Sequence, residues 1–227
     1  PGEAENNGVQ IPGTNLGSNP FTLSYWIKPT TATANAGLER ITSRGGDQFE
    51  TGVGDAGAVG GTTSETGTTL SYYAGAGWQV THVPITINEW THVTWVVSTE
   101  STILYINGEE AYTGIGATED KPGTNDLFIG TRHSSVEGFE GLIDDVRIWN
   151  KALSQQEIRE RMGKTIDATD TLWENLAGYY RMDWGKESTA YDYSQNSNNG
   201  TLTNGPVWVE AYSWERGMVA HYPLDRS

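Results

Sequence analysis

Residues 90–112, WTHVTWVVSTESTILYINGEEAY, contain the strongest fold signal in the chain. Apolar side chains alternate through the first part, so Val93, Trp95 and Val97 share one face of a predicted strand. A second run, ILYI at 103–106, is followed by Asn107-Gly108, and both of these residues tolerate the positive φ angles of a two-residue hairpin turn. The stretch therefore predicts an antiparallel meander.

Outward from this meander, the chain contains further short runs with the same alternation. FTLSYWIK at 21–28 places Phe21, Leu23, Tyr25 and Ile27 on one side of a strand, which Pro29 ends. Other predicted strands cover 40–43, 48–53, 69–74, 77–82, 126–130, 139–149, 176–183 and 206–209. Many short strands joined by glycine-rich turns predict an all-β sandwich or barrel.

A helical pattern occurs in one segment, from Ser154 to Met162. Ser154 and Glu157 have the spacing of a capping box, and Leu153 and Ile158 have that of a hydrophobic staple. Gly163 then favours termination. We expect one short helix near 154–162 beside the sheets.

The composition excludes several classes of function. The 227 residues include 29 acidic and 14 basic side chains, and the net charge of -15 repels nucleic acids and anionic membranes. No apolar run approaches the roughly 18 residues of a spanning helix. The chain has no cysteine, which excludes disulfides, cysteine-based zinc sites and thiol nucleophiles. Abundant Gly and Trp with 19% charged residues favour an exported β-protein.

Several separated blocks of the chain resemble a known family. In their order and spacing, five blocks resemble the LamG-like jelly-roll modules of the concanavalin A-like lectin/glucanase superfamily. These blocks are FTLSYWIKPT (21–30), INEWTHVTWVV (87–97), LYINGEEAYTG (104–114), DLFIGTR (126–132) and GLIDDVRIWNKALSQQEI (141–158). LAGYYRMD (176–183) also resembles that family. The resemblance implies a two-sheet antiparallel jelly-roll sandwich, an extracellular or cell-surface location and tandem occurrence within long proteins. Similar modules bind glycans, mediate adhesion or accompany hydrolases, so the fold leaves the function open.

The same resemblance implies a calcium site. Asp144-Asp145-Val146-Arg147 is similar to an Asp-x-Val-Arg phrase that contributes to a structural calcium site in related glucanases. On this resemblance the metal ligands are the Asp144 side chain and backbone carbonyls of Gly45 and of the N-terminal segment near Glu3. One carboxylate with carbonyls and water suffices for structural calcium. The alternative is that Asp144 pairs with Arg147 or caps a turn.

We expect no catalysis by this chain. Retaining glycosidases need two carboxylates about 5 Å apart, which two strand residues provide only from one face. Glu137 and Glu140 are three residues apart and Asp144 and Asp145 are adjacent, so each pair projects to opposite faces. The chain also lacks the Gly-x-Ser-x-Gly nucleophile elbow. A glycan hydrolase is kept only as an alternative.

Candidate sugar contacts lie in SYYAGAGWQ at 71–79. Sugars pack their C–H faces on aromatic rings, so Tyr72, Tyr73 and Trp78 are predicted to bind carbohydrate. Tyr72 and Tyr73 are adjacent and must point to opposite faces of a strand. The alternative for each ring is core packing, which is favoured for Trp26, Trp95 and Trp149.

The predicted organisation is a jelly-roll domain over 1–210, on which residues 164–210 pack as a returning family segment, and a terminal strand within 211–227. MVAHYPLD (218–225) repeats the pattern of LAGYYRMD. In similar proteins this phrase opens a module, so it either starts a next module or adds to a sheet edge of a neighbouring copy. The favoured function is a non-catalytic, calcium-stabilised carbohydrate-binding or adhesion module. A structural subunit of an extracellular fibre, assembled head to tail by strand addition, is the alternative.

Overall fold

The computed structural model describes residues 8–13, 20–30, 38–44, 49–54, 68–74, 77–117, 126–132, 138–183, 188–203, 206–209 and 219–221. Its strands are β1 (Gly8–Ile11), β2 (Phe21–Pro29), β3 (Leu38–Arg44), β4 (Phe49–Gly54), β5 (Thr69–Ala74), β6 (Trp78–Pro84), β7 (Thr91–Val97), β8 (Ser101–Ile106), β9 (Glu109–Ile115), β10 (Leu127–Ile129), β11 (Gly141–Trp149), β12 (Leu176–Tyr180), β13 (Thr189–Ala190), β14 (Gly200–Thr203), β15 (Val207–Val209) and β16 (Val219–His221). One α-helix, α1 (Gln155–Arg161), and a 3-10 turn (Trp173–Asn175) lie between β11 and β12. Neither helix in the described ranges is long and apolar enough to cross a membrane.

The strands form two antiparallel sheets of eight strands each. Sheet A has the order β13-β14-β1-β10-β3-β4-β5-β6. Sheet B has the order β15-β16-β11-β2-β7-β8-β9, and β12 also pairs with β11. The predicted all-β, two-sheet sandwich with one short helix is confirmed.

The core lies between the two sheets and is built from inward-facing side chains of both. Phe21, Leu23, Tyr25 and Ile27 all belong to it, as the alternation in FTLSYWIK predicted. Val93, Trp95 and Val97 are completely buried in the same cluster. The indole N–H of Trp95 donates to the Tyr25 hydroxyl over 2.8 Å, and that hydroxyl donates across to Thr51 of sheet A over 3.0 Å. These bonds satisfy polar groups that would be costly to bury alone.

The Asn107-Gly108 turn joins β8 and β9 as predicted. Both residues have positive φ, 51° for Asn107 and 80° for Gly108, which is the conformation of a type I′ turn. The Gly108 carbonyl accepts hydrogen bonds from the side chains of Gln155 and Arg159. The hairpin tip is therefore attached to α1.

Helix α1 packs on the outer face of sheet B, away from the main core. Ser154 caps it with the predicted capping box, and Leu153 and Ile158 enter a second buried cluster with Trp149 and Tyr179. Beyond the helix, Arg147 on β11 donates to the carbonyls of Arg161 and Lys164 over 2.7 and 2.5 Å. This single guanidinium fastens the polypeptide after α1 to the sheet.

The terminal strand pairs within its own chain. Ala220 and His221 of β16 lie opposite Ile143 and Leu142 of β11, and the other side of β16 pairs with β15. In the described chain β16 therefore lies between two strands of sheet B. Donation of this strand to a neighbouring copy stays a prediction.

Candidate functional site

Tyr72 and Tyr73 point to opposite faces of β5, as predicted, but only one of them faces outward. Tyr72 is completely buried in the core, where its ring lies 5.3 Å from that of Trp95 and its hydroxyl donates to the Ile115 carbonyl. A sugar cannot pack on a ring that has no exposed surface. The prediction that Tyr72 contacts carbohydrate is therefore corrected, and Tyr72 is a core residue.

Tyr73 and Trp78 lie together on the outer face of sheet A. They are direct partners between β5 and β6, and both rings are partly exposed, with centroids 5.8 Å apart. The guanidinium carbon of Arg40 lies 4.2 Å from the centroid of Trp78, a cation–π contact that orients the indole. We call Arg40, Glu50, Tyr73 and Trp78 the outer-face cluster.

Glu50 supplies the carboxylate of the outer-face cluster. Glu50 is on β4, directly opposite Tyr73 of β5, and is only 2% exposed. Its side chain pairs with Arg40 over 3.0 Å and accepts from the Ser43 hydroxyl over 2.9 Å, and Arg132 approaches within 3.8 Å. The cluster thus places aromatic rings beside a fixed carboxylate and guanidinium. The partly exposed rings can pack on the apolar faces of a sugar, while the buried Arg40 and Glu50 hold the indole in position beneath them.

A second arrangement surrounds Asp144 on the outer face of sheet B. A bulge separates Asp144 from Arg147 in the pairing of β11 with β2, and Asp145 within it has a φ of 54°. Arg147 donates from Nε and from one terminal guanidinium nitrogen to the two carboxylate oxygens of Asp145, over 3.1 and 2.6 Å. The alternative that Arg147 pairs with Asp144 is therefore wrong, because the bulge turns Asp145 toward the guanidinium instead.

Asp144 is a buried carboxyl without a hydrogen-bond partner for one oxygen. The residue is 8% exposed, and Oδ1 accepts no hydrogen bond in the described chain. Burial, reinforced by the negative charges of Asp145 and Asp183, raises the pKa of Asp144 to about 9. An orphaned buried carboxylate oxygen is a ligand that a hard cation such as calcium prefers.

The rest of the predicted calcium set is untested. Gly45 and Glu3 lie outside the described residues, so their carbonyls cannot be placed. Where side chains are described, no three His, Cys, Asp or Glu groups come together as a metal site. Of the predicted ligands only Asp144 is described, and its buried oxygen without a hydrogen-bond partner is compatible with a bound cation.

A pair of glutamates at one end of β3 was missed from the sequence. The Glu39 carboxylate accepts the backbone N–H of Glu140 over 3.0 Å. Burial, together with the charge of Glu140, raises the pKa of Glu39 to about 7, although the Glu140 hydrogen bond acts in the opposite direction. The sequence analysis paired Glu140 only with Glu137, as possible catalytic carboxylates, and Glu137 lies outside the described residues. No local pattern connects Glu39 with Glu140, because they belong to distant parts of the chain.

The histidine on β7, His92, makes structural contacts inside the sheet. His92 is 3% exposed, its ring lies 5.1 Å from that of Trp26, and its Nδ1 is 3.4 Å from the Thr94 hydroxyl. Trp26 donates its indole N–H to the Met162 carbonyl, and Trp149 is buried under α1. These rings serve packing between strands and helix, as predicted.

Comparison with known proteins supports the same fold. A family model described as the concanavalin A-like lectin/glucanases superfamily matches residues 3–159. The adhesion G-protein coupled receptor V1 of Danio rerio is 27% identical over 179 residues, which are 74% of this chain and 3% of the receptor. The chain thus spans only a small part of that relative's length.

Two solved structures illustrate the architecture. A candidate carbohydrate-binding protein from Bacteroides ovatus superposes with a TM-score of 0.64 at 21% identity, covering 90% of this chain and 59% of that one. Domain 4 of the GH43 extracellular arabinanase of Geobacillus stearothermophilus, solved with arabinotriose, gives a TM-score of 0.51 at 22% identity, covering 67% and 71%. At these identities the likeness shows the fold.

Proposed function

Since the chain belongs to the concanavalin A-like lectin/glucanase superfamily, we propose that it is a non-catalytic carbohydrate-binding module of a larger extracellular or cell-surface protein. The observation that carries this proposal is the outer-face cluster, where Tyr73 and Trp78 stand beside the Arg40–Glu50 ion pair. The names of the Bacteroides and Geobacillus structures, which refer to carbohydrate binding and to a bound arabinotriose, support this class of ligand. The match to an adhesion receptor supports the surface location.

Glycan binding at the outer-face cluster is tested with the labelled protein on a glycan array, followed by calorimetry with the best ligand. Removing the Trp78 ring takes away its sugar-packing surface, so Trp78→Ala should weaken binding at least about tenfold. Trp90→Ala is the matched control, because Trp90 is 37% exposed but precedes β7 in sheet B. Equal affinity of wild type and Trp78→Ala would contradict the site. A folded wild type that binds no glycan would contradict the function.

The non-catalytic assignment has its own test. Glu50 is held in a buried ion pair, and the Glu39 carboxylate accepts from the backbone of Glu140, so neither is arranged as a free nucleophile and acid on one face. We expect no release of reducing ends from β-glucans or arabinans. Turnover that disappears in Glu39→Gln or Glu140→Gln would instead identify a hydrolase.

Calcium stabilisation is the second part of the proposal. The buried, unpartnered Oδ1 of Asp144 supports it, because calcium would compensate a carboxylate that no described cation neutralises through a salt bridge. Calcium binding to the folded state should raise the melting temperature above that in EDTA. Asp144→Asn should remove this increase. A wild type whose melting temperature does not respond to calcium would contradict the proposal.

A further inference from the structure

Phe128 on β10 adds a further aromatic ring to the outer face of sheet A. Its two neighbours in the strand, Leu127 and Ile129, belong to the core between the sheets. Because successive side chains of a strand point to opposite faces, Phe128 points outward. Its side chain is partly exposed. The outer face of sheet A therefore carries a ring besides the two in the outer-face cluster.

Strand register places Phe128 in one row with three members of the outer-face cluster. Phe128 lies directly opposite Ser43 on β3, and the Ser43 hydroxyl donates to the Glu50 carboxylate on β4 over 2.9 Å. Glu50 is opposite Tyr73, and Tyr73 is opposite Trp78. These five residues follow one another across β10, β3, β4, β5 and β6, which are consecutive strands of sheet A. We call them the outer row.

The aromatic rings of the outer row lie at its two ends. With about 4.8 Å between neighbouring strands, Phe128 is roughly 14 Å from Tyr73 along the row. Between them, Ser43 is completely buried and Glu50 is only 2% exposed. Arg132, whose side chain is 27% exposed, approaches Glu50 within 3.8 Å. The outer row thus has an aromatic platform at each end and polar groups in the middle.

The two aromatic platforms are too far apart for a single sugar. A pyranose ring is about as wide as one strand spacing, so one ring can contact only one platform. A linear chain that crosses the strands can pack one sugar on Tyr73 and Trp78 and another on Phe128. Once the first sugar is bound, the second meets its platform at a high effective concentration. A chain that reaches both platforms should therefore bind more tightly than a short one.

We infer that the outer row binds a linear oligosaccharide laid across the strands of sheet A, with Phe128 as the aromatic contact at its far end. This inference rests on the carbohydrate binding proposed above and specifies the class of ligand, which is an extended chain of several sugars instead of one terminal sugar. Phe128 contributes to affinity only when the ligand is long enough to reach from β5 across β4 and β3 to β10.

Calorimetry with cello-, xylo- and arabino-oligosaccharides, each from the disaccharide to the hexasaccharide, tests the chain length. The affinity of wild type for the best-bound series should rise at least about tenfold from disaccharide to hexasaccharide. Phe128→Leu keeps an apolar side chain without the ring, and should lose this gain while its affinity for the disaccharide stays unchanged. Phe128→Tyr keeps a ring and should retain the gain. Trp90→Ala, outside the outer row, is the control and should bind both lengths as wild type does.

The outcomes separate the extended chain from carbohydrate binding in general. Equal affinity of wild type for the disaccharide and the hexasaccharide would overturn the inference and leave the proposed function in place. Unchanged hexasaccharide affinity in Phe128→Leu, with circular dichroism that matches wild type, would overturn the contact at Phe128. A wild type that binds none of these chains but binds terminal sugars on the glycan array would overturn the inference alone. Absence of binding to any glycan would overturn the proposed function as well.

Discussion

Tyr72 and Tyr73 lie in different environments because successive residues of a strand face opposite sides of the sheet. Tyr72 enters the core and Tyr73 the outer face, where Trp78, Arg40 and Glu50 surround it. A sugar on sheet A would therefore contact side chains of the outward set, in which the Tyr73 and Trp78 rings are partly exposed. Arg40 and Glu50 are buried in this set, so their ion pair contributes to the free energy of unfolding.

Replacing Glu50 should reveal the strength of this buried pair. Glu50→Gln removes the negative charge beside the Arg40 guanidinium, and breaking a buried ion pair typically costs about 3 kcal/mol. Urea unfolding followed by tryptophan fluorescence measures the loss. Glu100→Gln, at an exposed turn, should change the free energy of unfolding by less than about 0.5 kcal/mol. A loss in Glu50→Gln no larger than in this control would show that the pair contributes little.

Glu39 should make stability depend on pH. Its folded-state pKa of about 7 exceeds the ordinary value of 4.5, so between these values the folded protein binds more protons than the unfolded chain. The free energy of unfolding should therefore fall as pH rises from about 4.5 to about 7. Glu39→Gln should flatten that part of the profile, measured as melting temperature against pH. Glu89→Gln, at an exposed position, is the control and should keep the wild-type profile. If melting temperature changes with pH as steeply in Glu39→Gln as in wild type, Glu39 is not the cause of the pH dependence.

At the scale of elements, α1 depends on its termini and on the contacts that hold it to sheet B. The helix has seven residues, which is too short for stability in isolation. Its capping box, its buried staple and the anchoring bonds from Arg147 compensate for this. The β8–β9 turn adds the Gly108 carbonyl as a further attachment.

Ser154→Ala should destabilise the protein through this helix. The Ser154 side chain accepts from the Glu157 N–H, and its loss leaves a helix N–H without a partner, at a cost of about 1 kcal/mol. Gln156→Ala, at an exposed position in the first turn that does not cap the helix, is the matched control and should change stability by less than about 0.5 kcal/mol. Chemical unfolding monitored by circular dichroism makes the comparison. Equal effects of the two substitutions would argue against the cap.

At the scale of the whole molecule, sheet B is completed by the end of the chain. β16 lies between β11 and β15, while β12 pairs with the other half of β11. Both halves of β11 therefore have a partner on the edge that faces away from β2. A strand in this position stabilises its own chain, whereas a donated strand would link copies.

Deleting residues 217–227 distinguishes these roles. Loss of β16 leaves part of β11 unpaired and separates β15 from the sheet, so the truncated chain should melt at a lower temperature. Its oligomeric state, measured by light scattering, should not change. A truncation that leaves the melting temperature unchanged but abolishes a higher oligomer would instead support strand addition between copies and the fibre hypothesis.

The sequence alone determined most of the strands, the buried faces of β2 and β7, the capped helix and the family, because each depends on patterns within a few residues. It did not predict β1, β13 and β14, which are short and lack a clear alternation. Alternation assigned Phe21, Leu23, Tyr25 and Ile27 to the core, and Asn107-Gly108 specified its turn. The sequence also identified Tyr73, Trp78 and Asp144 as candidates, but not what surrounds them.

The tertiary structure decided those surroundings. It buried Tyr72, paired Arg40 with Glu50 and turned Asp145 instead of Asp144 toward Arg147. Each of these outcomes depends on sheet order, on register or on a bulge, which align residues far apart in the chain. Local periodicity shows which face a side chain occupies, but only the packing of strands determines which side chains meet there.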